Sequence, residues 1–179
     1  MSLVDMIGGQ GAAMGVQFKN TYAFECRDAE GNLKWSEEVH NLTTNAGIAD
    51  VLNQYFKGAA YTAAFYVGLK GAGAAANADS MASHAGWAEV AAYSNATRPA
   101  LTLGAVTGTT TASVDNSASK AMFNINGSAT VDGAFVTTSN TVSGATGTLF
   151  GAATFSGGSR AVLSGDTLSV TVMLTTVTG

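Results

Sequence analysis

The chain has 179 residues, only 11% of them charged, with a formal net charge of −4 and an isoelectric point of about 4.9. Soluble domains average about 25% charged residues. Nucleic-acid-binding surfaces are basic, so for this acidic chain we expect no nucleic-acid partner. The sequence also lacks a membrane span and the basic region of a signal peptide, so we expect no membrane partner and no secretion.

Charge is unevenly distributed along the chain. Residues 1–100 carry fifteen Asp, Glu, Lys and Arg, whereas residues 101–179 carry five. A segment with so few charges makes a poor solvated surface and has few groups that protect strand edges from pairing. We therefore expect a homodimer or homotrimer in which another subunit covers part of this half.

The first residues predict an arm followed by a strand. Residues 1–15 are rich in glycine and have no periodic pattern, which predicts a flexible N-terminal arm before a single domain of residues 16–179. From residue 16 apolar and polar side chains alternate, the pattern of a strand with one buried face. Residues 28–32 supply a turn, and a second alternating strand follows, so the pair predicts an antiparallel hairpin.

One short α-helix is predicted near residues 44–57. Thr44 or Asn45 can cap its N-terminus, and Gly58 can adopt the left-handed conformation that ends it. Its apolar residues recur at helical spacing and form a stripe that we expect to cover a sheet. The members of the stripe are Ile48, Val51, Leu52, Tyr55 and Phe56.

The rest of the chain predicts short strands separated by turns. A buried strand is expected over residues 61–70, and a last one over 159–175, broken at Gly165 and Asp166. Between them we expect strands near residues 100–106, 111–115, 119–127, 129–138 and 147–155. Many short strands with one helix predict an all-β, mainly antiparallel fold, a β-sandwich of jelly-roll type.

Two groups of residues have the side chains that catalysis or metal binding would need. They are Asp79, Ser80, Ser83 and His84 for a hydrolytic triad, and Glu37, Glu38 and His40 for a metal-site fragment. Neighbours in a loop seldom point at one another, and neither serine lies in a G-x-S-x-G turn. Two histidines are also few for a metal centre. We therefore expect no enzyme, no cofactor and no catalytic or metal-binding residue.

Residues 79–99 predict an anchored structural loop. Trp87 is expected to fold the loop onto the domain, because its ring is largely apolar and its N–H can bond a carbonyl. His84 is expected to bond the backbone, and Pro99 suits re-entry into a sheet. The single cysteine, Cys26, lies on the apolar side of the first strand and predicts a buried thiol.

Six segments carry a family resemblance: EEVHNLTTNAGIADVLNQYF, YVGLKG, DSMASHAGWAEV, YSNATRPA, VDNSASKAMFNING and GAFVTTSNTVSGATGTLFGAATFSGGSRAVLSGDTLSVT. Together they resemble a family of structural proteins of tailed bacteriophages, chiefly short-tailed phages, that are similar to capsid decoration, or cement, proteins. The resemblance implies a jelly-roll sandwich made in the host cytoplasm and displayed on the capsid exterior of the virion, where symmetric oligomers clamp neighbouring major capsid proteins. The alternative is a tail or fibre adhesin that stacks host glycans on Trp87 and Tyr93.

Overall fold

The computed structural model describes residues 16–58, 64–108 and 111–178, so the predicted arm of residues 1–15 lies outside the described residues. Eleven strands lie within the described part. In chain order they are β1 (Val16–Arg27), β2 (Leu33–Thr43), β3 (Tyr66–Lys70), β4 (Glu89–Val90), β5 (Ser113–Asp115), β6 (Ala121–Asn124), β7 (Ala129–Val131), β8 (Gly133–Thr137), β9 (Leu149–Thr154), β10 (Arg160–Val162) and β11 (Thr167–Thr178).

Nine of these strands form one curled antiparallel sheet. Its order is β4-β3-β8-β9-β2-β1-β11-β5, with β6 beside β11, and β7 and β10 form a separate pair. Strand β2 joins the two halves: its first part pairs with β1, and Asn41–Thr43 pair with β9. The prediction of an all-β, mainly antiparallel, sandwich-like fold is confirmed, while the jelly-roll connectivity stays a prediction.

The main core lies between the two halves of the curled sheet. Alternate residues of β1 point into it, including Tyr22, Phe24 and Cys26, as the period-two pattern predicted. Strand β11 contributes Leu168, Val170 and Val172, so the two longest strands present their apolar faces to the same interior. The predicted hairpin of β1 and β2 and the break between β10 and β11 are both confirmed.

Strand β8 is buried on both faces. Ala134 and Val136 belong to the main core, whereas Phe135 lies in a second apolar cluster on the opposite face. The loop between β3 and β4 covers that face and packs Met81 and Trp87 against Phe135. This loop therefore forms a third layer of the domain and covers the sheet, as a helix does in many folds.

The predicted helix forms, but its apolar stripe faces solvent. An α-helix spans Asn45–Val51 and continues as a π-helix over Leu52–Phe56, with Thr44 accepting the capping hydrogen bond from the Gly47 amide at 3.0 Å. Gly58 has a φ of +64°, as a left-handed terminator requires.

The expectation that the stripe covers a sheet is wrong because the helix approaches the sheet through Gly47. This glycine is buried so close to the backbone of Phe150 that a Cβ there would overlap it. Val51, one turn later, packs against the core. The remaining stripe residues point away and are 47%, 53%, 81% and 73% exposed in the order Ile48, Leu52, Tyr55 and Phe56. We call these four residues the helix face.

Two further strand predictions differ from the structure. The segment 100–106 forms no strand, although Ala100 makes an isolated bridge to Tyr66. The Leu101 amide donates to the Phe65 carbonyl, and the Gly104 amide then donates to the Asp115 carbonyl of β5, both at 2.8 Å. The strand expected over 129–138 is split at Asp132, whose backbone bonds Lys70 on one side and Phe155 on the other. Both departures arise because a tertiary contact redirects the backbone.

The edges of the main sheet are short. The terminal strands of the sheet order, β4 and β5, have two and three residues. Short edge strands offer few backbone groups to a second chain. Four of the ten large apolar side chains that are exposed among the described residues lie on the helix face. The helix is therefore a more favourable surface for association with another chain than the sheet edges are.

We expect Gly68→Ala to lower stability by about 1–3 kcal/mol, the usual cost of overpacking a core. Gly68 pairs with Phe135 across β3 and β8, and a Cβ at position 68 would overlap the Phe135 ring. Urea unfolding of both variants measures the effect. Gly127→Ala is the matched control because its Cβ would meet only Ala92 at 3.9 Å. An unchanged midpoint for Gly68→Ala would contradict this packing.

Candidate functional site

Trp87 anchors the loop of residues 79–99, as predicted. It is 5% exposed, and its indole Nε1 donates to Asp79 Oδ2 at 2.8 Å. Its ring lies 5.2 Å from the ring of Phe135, measured between centroids. The apolar body therefore packs on the outer face of β8 while the polar N–H is satisfied by a carboxylate.

The triad residues are not assembled. The imidazole of His84 stacks on Trp87 with 4.1 Å between ring centroids, and His84 Nδ1 lies 3.0 Å from the Trp87 carbonyl oxygen. Asp79 accepts from Trp87 and from the Ala76 amide at 2.9 Å, so its carboxylate is engaged within the loop. His84 thus bonds the backbone, as expected.

A buried ion pair underlies the same loop. Arg98 and Glu89 form two hydrogen bonds of 2.9 and 2.7 Å, and their side chains are 0% and 6% exposed. The Arg98 guanidinium also donates to the Ser139 carbonyl at 2.8 Å and lies 5.1 Å from the Phe135 ring centroid. A bidentate pair of this kind fixes orientation as well as charge.

Glu89 accepts two further hydrogen bonds beside those from Arg98. The Ser143 amide donates to it at 2.8 Å, and the Tyr93 hydroxyl donates at 3.4 Å. Ser143 has a φ of +56°, a left-handed conformation that non-glycine residues seldom adopt, and its bond to Glu89 helps to hold it there. Burial, followed by the Glu89 charge, raises the pKa of Tyr93 above its usual range.

Sequence reasoning missed the pair of Arg98 and Glu89. A residue before proline favours extended backbone, and the sequence indicates nothing more than this for Arg98. A spacing of nine residues within a loop has no fixed geometry, so no sequence pattern could join the two. The one available signal is the low charge of the chain as a whole, 11% of its residues, which makes each charged residue a candidate for a structural role.

An open groove lies beside His84. Its volume is about 550 Å³, and its lining includes Met81, Ser83, His84, Glu89 and Ser143. The carboxylate of Glu89 is already bonded to Arg98, Ser143 and Tyr93. The groove therefore offers a ligand mainly small side chains and one face of an imidazole.

The predicted metal fragment is also dispersed. Glu37 pairs with Arg160 at 2.8 Å and lies on the half-buried face of β2 with Trp35 and Val39. His40 lies on the opposite, exposed face, where its Nδ1 is 3.2 Å from the Thr21 hydroxyl. Among the described residues, no group of three or more His, Cys, Asp or Glu side chains is arranged to hold a metal ion.

Cys26 is a buried thiol, as predicted. It is 0% exposed, and its Sγ donates to Asp166 Oδ2 at 3.7 Å. Burial raises the pKa of the Cys26 thiol to about 11, and the Asp166 charge adds to the effect. A thiol with this pKa holds its proton at neutral pH and is a poor nucleophile.

The helix face contains four of the ten large apolar side chains that are exposed among the described residues. Tyr55 and Phe56 lie edge to face with 5.1 Å between ring centroids. A cavity of about 270 Å³ is lined by Tyr55 together with Val51 and Leu174. A second cavity of about 210 Å³ shares Leu174 and is also lined by Val106. The two cavities also share Phe18 and Phe150.

Comparisons with known proteins give no match. No family model, no curated protein and no solved structure matches this chain significantly. Within the residues that the structure describes, no helix is long and apolar enough to cross a membrane.

We expect Trp87→Ala to lower stability by about 3–5 kcal/mol, the usual cost of truncating a buried aromatic residue. His84→Ala removes one hydrogen bond and should cost only about 0.5–1.5 kcal/mol. Thermal melts of the two variants, compared with the parent, measure both. A Trp87→Ala protein that melts with the parent would contradict the anchoring role.

We expect native Cys26 to resist iodoacetamide at pH 8, because it is 0% exposed and the pKa of its thiol is raised to about 11. In denaturant the same thiol becomes exposed and should react completely. Intact-mass measurement over time follows both reactions. Rapid modification of the folded protein would show that the first strand opens.

Proposed function

We propose that the protein is a non-enzymatic virion structural protein: a decoration, or cement, protein that stabilises a phage head by clamping neighbouring major capsid proteins from the capsid exterior. It is made in the host cytoplasm and acts as a homo-oligomer. The six ordered segments that resemble this class support the choice of a capsid. The geometry supports the more general part of the proposal, an assembly role.

The observation that carries the assembly role is the exposed helix face. Tyr55 and Phe56 are 81% and 73% exposed, whereas every other aromatic side chain whose burial the structure describes is at most 37% exposed. Contiguous exposed apolar side chains mark surfaces that contact other proteins. A rigid sandwich with such a surface is suited to binding a repeated lattice.

The adhesin alternative has less support. It needs Trp87 and Tyr93 as platforms on which sugar rings stack. Each of these side chains is only 5% exposed, and each has a hydrogen bond within the loop. Trp87 lines the open groove beside His84, but its ring contacts His84 and Phe135, and the Tyr93 ring contacts Phe123. Stacking of a sugar ring on either side chain would require the loop to rearrange.

The residues considered for catalysis or metal binding are not arranged for a hydrolytic reaction. His84 and Asp79 both bond elements of their own loop, and Glu37 and His40 point to opposite faces of a strand. General base catalysis requires a base within hydrogen-bond reach of its nucleophile. The described arrangement therefore favours a structural role over an enzymatic one.

We expect particles that lack this protein to assemble and then to burst at a lower temperature, and in low salt with chelator, than particles that carry it. Each copy adds a modest interface, and these contributions repeat over the whole lattice. Genome release on heating and under osmotic shock measures the effect, and re-addition of the purified protein should restore resistance. Equal resistance with and without the protein would contradict the cement role.

A further inference from the structure

We propose that the side chains of Lys70 and Asp132 condense to an amide, a covalent link inside the folded domain that forms without an added reagent. Lys70 is the last residue of β3, and Asp132 lies directly before β8, so the link would tie two neighbouring strands of the sheet together. This modification is a property of the single chain and does not depend on the proposed function.

Backbone pairing holds the two residues beside each other. Lys70 pairs with Gly133, the residue that follows Asp132, and the Asp132 amide donates to the Lys70 carbonyl at 2.8 Å. On its other side, the Asp132 carbonyl accepts from the Phe155 amide at 2.8 Å. The sheet thus keeps amine and carboxyl group together, and well-oriented intramolecular reactions have effective molarities of about 10⁵–10⁸ M.

Both side chains are removed from water. The Lys70 side chain is 0% exposed and that of Asp132 is 9% exposed, while Lys70 Nζ lies 6.0 Å from the centroid of the Trp87 ring. A buried charged group tends to neutralise because it has lost its hydration. Burial accordingly lowers the pKa of Lys70, against the opposing charges of Asp132 and Asp79. A neutral lysine amine is a nucleophile, whereas the ammonium ion is not.

The hydrogen bonds of Lys70 leave one direction of its nitrogen for Asp132. Nζ donates to the carbonyls of Gly71 and Gly73, which account for the two protons of a neutral amine. Asp132 Oδ2 lies 3.6 Å from Nζ, beyond the 2.7–2.9 Å that is typical of a charge-assisted hydrogen bond. The lone pair of the neutral amine is therefore available to the carboxyl group.

The Asp132 carboxyl group has a donor in place for the charge that develops during attack. Ser159 Oγ donates to Asp132 Oδ1 at 3.0 Å, and such a donor stabilises the oxyanion of a tetrahedral intermediate. One ammonium proton moves from Lys70 Nζ to Asp132 Oδ2, and the nitrogen lone pair attacks Cγ. The Nζ–Cγ bond forms, a second proton passes from Nζ to Oδ2, and the Cγ–Oδ2 bond breaks to release water. The amide keeps the third proton, so atoms and charge balance.

A second lysine–aspartate pair in the chain lacks these features. Lys34 Nζ lies 2.5 Å from Asp166 Oδ2, and the Lys34 side chain is 26% exposed. The hydrogen bond to Asp166 raises the pKa of Lys34, so this amine keeps its third proton and has no lone pair for attack. We expect this pair to remain ionic, which makes it an internal control.

Intact-mass measurement of the full-length chain, purified folded and then denatured, tests the proposal. Wild type should be lighter than its sequence mass by one molecule of water. Trypsin should leave the denatured protein uncut after Lys70, because an amide on Nζ removes the charge that the protease recognises. Fragment spectra should join the segments around Lys70 and Asp132. Lys70→Arg keeps a positive charge beside Asp132 but cannot form the link, so it should have its full sequence mass.

Lys34→Met is the matched control, because it removes the exposed pair and should still lose water. Cyclisation of Asp132 onto the Gly133 amide would release the same mass, but it would persist in Lys70→Arg and leave Lys70 open to trypsin. The proposal is overturned if wild type has its full sequence mass, if Lys70→Arg also loses water, or if trypsin cleaves the light species after Lys70. The first and third of these results come from wild type alone, so they decide the question even if Lys70→Arg does not fold.

Discussion

Arg98 and Glu89 form an ion pair that is almost completely removed from solvent, and the loop layer of the domain is organised around it. Arg98 contacts Glu89 on β4, the Ser139 and Gly144 carbonyls after β8, and the ring of Phe135 within β8. Loss of one partner would leave a buried charge without compensation, at a typical cost of about 3–5 kcal/mol. The pair therefore fixes where the loop crosses the sheet, and with it the position of Trp87.

Burial of charged side chains also explains why the surface of the protein carries few charges. Five charged side chains are buried among the described residues: Lys70, Glu89, Arg98, Asp132 and Asp166. Lys70 lies 3.6 Å from Asp132 and donates to the carbonyls of Gly71 and Gly73, while burial lowers the pKa of its ammonium group against the opposing effect of Asp132. A sequence with few charges thus uses some of them internally. Its exterior is poorer in charge than its composition indicates, which favours contact with other proteins.

Rigidity and exposure are divided between different parts of the chain. The long strands β1 and β11 pair along their whole length, and both faces of β8 are covered, so the framework can hold a small element in a fixed position. The helix is that element. Its buried side is reduced to Gly47 and Val51, which frees its larger apolar residues for an external partner. The arrangement suits a protein whose role is to associate.

The sequence by itself determined the period-two strands, a helix cap at Thr44 or Asn45, the buried Cys26 and the anchoring role of Trp87, because each depends on local pattern or on a strong preference for burial. Tertiary structure decided which side of the helix is buried: close approach at Gly47 turns the stripe outward, and spacing alone contains no information about a contact with Phe150. Tertiary structure also decided that Asp79 accepts the hydrogen bond from the Trp87 indole and that Arg98 forms an ion pair with Glu89. Those pairings arise from how a loop lies across a sheet, and this path is set by packing between residues distant in the chain.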